Sequence, residues 1–157
     1  MEEEFLHDTW QLWFHDPTST NWDKDSYVPL GTISTVEEFC EYFKGFEQIW
    51  DKGMFFLMRE HILPIWEDPA NENGGCFSFK INTVDIKHYW FELCACVLGE
   101  NAMQQPQQWE NICGISISPK WNYSIVRVWI ADDKKKSLND YKLVHPSYSS
   151  VMFKAYK

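Results

Sequence analysis

Residues Ile112-Cys113-Gly114-Ile115-Ser116-Ile117-Ser118 and Tyr123-Ser124-Ile125-Val126-Arg127-Val128-Trp129-Ile130 alternate apolar with small or polar side chains, and Pro119-Lys120-Trp121-Asn122 lies between them. Period-two alternation sends successive side chains to opposite faces of a strand, and a four-residue break joins two such strands as a hairpin. An antiparallel pair is expected, with Arg127 and Trp129 on one face. Upstream, Cys76 to Ile81 reads as a strand, Met54 to Met58 as a buried strand, and Thr9 to His15 as a strand whose Trp10, Leu12 and Phe14 face is buried. Downstream, Val151 to Tyr156 reads as the last strand. Two segments carry helical spacing instead. One is capped by Ser34 or Thr35, has Glu37 and Glu38 in its first turn, and places Val36, Phe39, Tyr42 and Phe43 at helical spacing through Phe46. The other runs from Thr83 to Leu98, capped by Asn82 or Thr83, with Ile86, Trp90, Leu93 and Val97 along one stripe and Gly99 as its stop. A short helix is expected near Ser137–Leu143, whereas no period holds from Asn21 to Gly31, and Arg59 to Gly75 reads as a long irregular connection. Strands that suit antiparallel pairing, with helices gathered on one face, make an α+β layout.

The 157 residues fit one domain spanning 1–157 with a short acidic segment at 1–5, and a chain that is 45% hydrophobic and 17% aromatic is too apolar to stay disordered. Lys and Arg number 14 against 23 Asp and Glu, a net charge of −9, so a broad electrostatic grip on duplex DNA or an anionic membrane is not expected. The start Met1-Glu2-Glu3-Glu4-Phe5 has no basic or apolar leader pattern, and no apolar run reaches the ~18 residues of a spanning helix. A soluble, cytoplasmic protein is the expectation. Five cysteines without a CxxC pair fit reduced thiols rather than a disulfide framework or a zinc site, and no metal or cofactor is expected. None of HExxH, GxxxxGK[ST], GxGxxG or GxSxG occurs and the five histidines are scattered, so no catalytic residue is assigned and the chain is not read as an enzyme.

Tryptophan is the compositional outlier, nine residues in 157. Packing accounts for six or seven of them, because indoles dominate cores. Trp22 stands out, set among Asn, Asp and Lys away from any apolar stripe. So does Trp66, in the run Ile62-Leu63-Pro64-Ile65-Trp66-Glu67-Asp68 that is followed by Asn71 and Gly74-Gly75. An indole offers a π-face to a base, and the adjacent carboxylate accepts from two N–H donors side by side, the pair a guanine edge presents. The competing reading has Trp66 plugging the core beneath its loop and Glu67 capping nearby backbone. Trp121 falls at the hairpin turn, where polar residues are usual and there is no core to fill. The run Lys134-Lys135-Lys136 reads as a solvated loop.

The Pro64-Ile65-Trp66-Glu67-Asp68 run with Asn71 and Gly74-Gly75 resembles the signature of the eukaryotic translation initiation factor 4E family. Trp10-Gln11-Leu12-Trp13-Phe14 is similar to that family's first strand, Thr35-Val36-Glu37-Glu38-Phe39 to its first helix, and Tyr89-Trp90-Phe91-Glu92 with Gly99-Glu100 to its second. Cys113-Gly114 and Val128-Trp129 match its later hairpin, so the resemblance covers residues 6–131. It implies a curved, mainly antiparallel sheet with helices on its convex face and a slot on its concave face. The implied ligand is the 7-methylguanosine cap of messenger RNA. Trp22 and Trp66 would stack on the base, Glu67 would take its N1 and N2 donors, and Trp129 would touch the N7-methyl group.

The departures from the family pattern are specific. Cys76 stands where the family has an arginine after Gly-Gly, and of two later phosphate positions one is Lys120 and the other Ile125. Arg127, two residues beyond Ile125, shares its face by alternation, so Lys120 and Arg127 are expected to hold the phosphates; a solvated strand residue is the alternative for Arg127. Trp121 is expected to stack on an adjacent nucleotide. For the partner-binding face, the resemblance points to Val36, Cys40, Trp90, Phe91 and Glu92 and to a scaffold or regulatory protein. Cys40 replaces the family's anchoring Trp there, and Glu4-Phe5 replaces its His-Pro. These changes suit a divergent eukaryotic or a viral member, working in a host cytoplasm or viral factory if viral. Three rival functions follow: a cap-binding repressor that recruits no scaffold, a cap-processing nucleotide hydrolase using Glu67 and Asp68, and an interaction module with every indole packed.

Overall fold

The computed structural model describes residues 2–143 and 151–157. Seven strands form one sheet: β1 (Phe5–His15), β2 (Val28–Thr35), β3 (Met54–Arg59), β4 (Gly75–Asn82), β5 (Ile112–Pro119), β6 (Tyr123–Ile130) and β7 (Met152–Ala155). Their order is β2-β1-β3-β5-β6-β4-β7, every pairing is antiparallel, and the sheet is curved. Among the described residues two α-helices, α1 (Val36–Gly45) and α2 (Ile86–Leu98), complete the α+β architecture.

Alternation divides the sheet into two apolar layers. Trp10, Leu12, Phe55, Leu57, Phe77, Phe79, Ile115, Ile117, Val126 and Val128 join α2 residues such as Trp90, Leu93 and Val97 in the main core. The opposite face carries a smaller cluster, Tyr27, Met54, Phe56, Met58, Cys113 and Trp129, onto which Ile62, Ile65 and Ala70 of the β3–β4 connection fold back. The interior strand β3 is covered on both faces, which is why all six of its residues are buried and its sequence shows no alternation.

Helix α1 starts as its sequence predicts, since the Thr35 side chain accepts from the Glu38 N–H and the Glu38 carboxylate accepts in return from Ser34. Three expectations are corrected. β2 occupies a segment in which no period is visible, because it is an edge strand, largely exposed and interrupted by Pro29, whose missing N–H an edge tolerates. α2 starts at Ile86 rather than Thr83, since Asn82 still pairs with Tyr123 in the sheet and Thr83–Asp85 forms a turn. The short helix near Ser137–Leu143 is one 3-10 turn, Leu138–Asp140.

The buried cation Arg59 ties the end of β3 to its neighbours. Its Nη1 donates to Asp8 at 2.9 Å and to Glu100 at 2.8 Å, its Nη2 to Glu100 at 2.7 Å and to the Trp109 carbonyl at 3.0 Å, and its Nε to the Ile112 carbonyl at 2.7 Å. The guanidinium also lies 4.4 Å from the Trp10 ring centroid and 4.9 Å from that of Trp109. Burial alone would lower its pKa, but the Glu100 and Asp8 contacts outweigh that and hold it above the ordinary arginine value.

Candidate functional site

Six tryptophans are buried or half-buried and three are exposed: Trp22 at 50%, Trp66 at 48% and Trp121 at 94%. Two of the exposed three, Trp22 and Trp66, line one cavity of about 540 Å³ on the face opposite the helices, together with Glu67, Arg127 and Trp129. Each is brought there by a different device.

Trp22 follows β1 in the connection to β2, and its ring stacks on His15 with centroids 4.2 Å apart and planes at 4°. His15 is fully buried, and its Nε2 lies 2.7 Å from the Asn21 carbonyl oxygen and 3.1 Å from the Ser26 hydroxyl. The imidazole therefore backs one face of the indole and fixes its plane.

Trp66 and Glu67 ride on the connection between β3 and β4, and that connection is held by their neighbours. The Asp68 carboxylate accepts from the N–H of Leu63 and of Ala70, both at 2.9 Å. Asn71 is fully buried and donates through Nδ2 to the carbonyls of Leu63 at 3.1 Å and Ile65 at 2.8 Å. A Cβ on Gly74 would collide with the Ile130 carbonyl oxygen, so only glycine lets this loop return onto β6. Asp68 and Asn71, not Glu67, bond to the backbone groups of this loop. Among the described residues Glu67 has no hydrogen-bond or ion-pair partner, and neither its N–H nor that of Trp66 donates within the chain. Tyr27 senses the carboxylate: burial first, and the charge of Glu67 second, push its phenol up to about 12.

Trp129 forms part of the cavity wall from β6, 7% exposed, with its indole N–H donating to the Ser116 hydroxyl at 3.1 Å. Arg127 lies two residues along β6 on the same face and lines the cavity too, as alternation predicts. Cys76 pairs across the sheet with Trp129 on one side and Lys154 on the other. Lys154 therefore enters the cavity wall beside the position where the family pattern has its arginine. Sequence reasoning missed this cation, although the alternating Met152-Phe153-Lys154-Ala155 was legible; which strand β7 joins is a tertiary fact. Lys120 and Trp121 lie at the β5–β6 turn, outside the cavity lining.

The partner-face expectation needs one correction. Trp90 is fully buried in the main core, because the inner stripe of α2 faces the sheet, and it offers no surface. Cys40 and Phe91 are exposed, and Val36 and Glu92 half-exposed. Cys40 and Phe91 line a second cavity of about 400 Å³ between the helices, with Phe43, Trp50 and His88. Among the described residues no group of three or more His, Cys, Asp or Glu is placed to hold a metal ion, and no helix is long and apolar enough to cross a membrane.

The model of a family described as eukaryotic initiation factor 4E matches residues 5–145. Among curated proteins, the chain is 28% identical over 134 residues to eukaryotic translation initiation factor 4E1 of Drosophila melanogaster, a match covering 81% of this chain and 50% of that protein. It is also 28% identical over 141 residues to eukaryotic translation initiation factor 4E of Saccharomyces cerevisiae, covering 85% and 64% respectively. The chain thus spans half the length of the first and under two thirds of the second. Among solved structures, schistosome eIF4E complexed with m7GpppG and 4E-BP shares the fold, with a TM-score of 0.77 at 23% identity over 88% of this chain and 78% of that one. Ascaris suum eIF4E-3 with m7G cap gives a TM-score of 0.73 at 25% identity over 88% and 79%.

Proposed function

This chain belongs to the eukaryotic initiation factor 4E family, and on that premise we propose that its cavity binds the 7-methylguanosine cap of messenger RNA in translation initiation. The observation that carries the reading is one cavity lined by two exposed indoles, a carboxylate with no partner among the described residues, and two cations. N7 methylation leaves guanine positively charged, which adds a cation–π attraction of about 0.5–2 kcal/mol to stacking on an indole. Trp22 and Trp66 take the two faces of the base, with His15 bracing Trp22 from behind. Glu67 accepts from guanine N1 and N2, the free N–H groups of Trp66 and Glu67 are donors for O6, and Trp129 meets the methyl group. Arg127 and Lys154 neutralise the phosphate bridge, while Lys120 and Trp121 at the turn serve the adjacent nucleotide.

The reaction is recognition, not turnover. Both Asp68 oxygens accept from backbone N–H groups, so Asp68 is tied into the loop rather than free to work with Glu67 as an acid–base pair. A second reading rests on Cys40: with a thiol in place of an anchoring indole, the helical face holds a scaffold helix weakly, and the protein acts as a cap-binding repressor. Removal of a hot-spot aromatic costs on the order of 2 kcal/mol or more in binding. Partners of Val36, Cys40, Phe91 and Glu92 recovered with capped RNA distinguish the two.

The test is a tryptophan-fluorescence titration with 7-methylguanosine triphosphate and with GTP. Saturable quenching by the methylated ligand and much weaker quenching by GTP are expected, and equal responses or none reject the reading. Trp121→Ala is expected to weaken binding of a cap dinucleotide more than of the mononucleotide.

A further inference from the structure

We infer that the slot face of β4 and β6 continues beyond the cavity as a docking strip for the single-stranded RNA that follows the cap, with Lys80 as its phosphate contact and Tyr123 as the residue that positions Lys80. The inference rests on the cap-binding reading for its starting point, and its chemistry is separate.

Register carries the geometry. On β6, Tyr123, Ile125, Arg127 and Trp129 share the slot face, and across β4 they pair with Asn82, Lys80, Ser78 and Cys76. The intervening Ser124, Val126, Val128 and Ile130 are buried, and the three aliphatics join the core beneath the helices. The slot face itself opens outward: Cys76 and Trp129 are buried, Ser78, Ile125 and Arg127 half-exposed, Lys80 and Asn82 exposed. From Trp129 to Tyr123 the strip runs about 20 Å at the usual rise of a strand. Arg127, the phosphate cation of the cavity, already lies in that direction.

Charge selects the occupant. The chain holds 23 acidic residues, yet none falls in β4, β5, β6 or β7, whereas Lys80, Arg127 and Lys154 do and Lys120 follows at the turn. A cationic strip continuous with a nucleotide cavity, on a protein of net charge −9, is complementary to a phosphate chain leaving that cavity. The Lys80 ammonium sits 4.2 Å from the centroid of the Tyr123 ring. That contact holds a flexible side chain over the strip and leaves its N–H groups to donate to the oxygens of a phosphate.

The experiment measures binding of the mononucleotide cap, a capped hexanucleotide and the same hexanucleotide uncapped, across salt concentrations, for the protein and for Lys80→Ala, Tyr123→Leu and Tyr123→Phe. The capped hexanucleotide is expected to bind several-fold more tightly than the mononucleotide. Lys80→Ala and Tyr123→Leu should remove about 3-fold or more of that gain and lower the salt slope by about 0.7, the value of one single-strand phosphate contact. Both should leave mononucleotide affinity unchanged, and Tyr123→Phe, which keeps the ring, should behave as the parent. A length-independent affinity, or wild-type affinity and slope in Lys80→Ala, overturns the inference. If the mononucleotide fails to bind, the cap reading falls. The uncapped strand then decides the strip: a Lys80-dependent salt slope supports it and its absence overturns it.

Discussion

Two adjacent carboxylates on one loop make opposite demands on a substitution, and Glu67→Ala tests the site through that contrast. In the folded chain Glu67 is exposed and bonds to nothing among the described residues, so its removal should change stability by no more than about 0.5 kcal/mol. In the proposed complex it accepts two hydrogen bonds, each worth about 1.5–3 kcal/mol to a charged group. The lower end applies to an open cavity, so the loss is about 3 kcal/mol, or about 150-fold in Kd. Asp68→Ala is the reverse case. It strips the acceptors from the Leu63 and Ala70 N–H groups, and the loop, rather than the ligand contact, gives way. At about 1–2 kcal/mol for such a turn, its Tm should fall by several degrees. The assay pairs a thermal melt with a fluorescence titration against 7-methylguanosine triphosphate. A Glu67→Ala protein with unchanged melting and a Kd within a few-fold of the parent would refute the assignment of the guanine edge. One that melts early would show that Glu67 is structural.

Arg127→Ala and Lys154→Ala should each weaken binding of the triphosphate form by about 1 kcal/mol and weaken the unphosphorylated 7-methylguanosine little, because both cations act on the phosphates; titrating the two ligands side by side checks this. Arg59→Ala should destabilise the fold by about 3 kcal/mol, since the largely buried Glu100 side chain would lose its bidentate partner and the Ile112 carbonyl its guanidinium donor, and urea unfolding with a loss below about 1 kcal/mol would contradict it. The Tyr27 phenol, pushed up to about 12 chiefly by burial, is neutral in the fold while its unfolded counterpart ionises near 10. Its contribution to stability is therefore fully present below about pH 10 and is lost as pH rises toward 12, and Tyr27→Phe should flatten that limb of the stability–pH curve.

Much of the fold was legible in local sequence. The β5–β6 hairpin, the capped start of α1 and the buried β3 all follow from periodicity or capping chemistry, because each depends on residues a few positions apart. β2 was not legible. Its sequence lacks alternation since one edge of it is solvent and Pro29 and Gly31 interrupt it, and it becomes a strand by pairing with β1. The apolar stripe of α2 with Trp90 in it was read correctly from periodicity; the resemblance, not the stripe, set Trp90 on the partner face, whereas it packs against the sheet. At the site, Trp66 and Glu67 stood out by type, and Trp22 by being out of place.

What the sequence determined by itself was the kind of chemistry present: exposed indoles, a carboxylate beside one of them, and an acidic chain whose hairpin carries Arg127 on the same face as Trp129. What only the tertiary structure decided was which of these share a cavity. Trp22 and Trp66 come from loops 44 residues apart in the chain, and Lys154 reaches the wall because β7 pairs with β4 at Cys76. It also decided that Asp68, not Glu67, is committed to the loop backbone. The reason is physical: alternation and capping are short-range and visible in a window of residues, whereas strand order and a hydrogen-bonded loop are set by packing between segments distant in sequence.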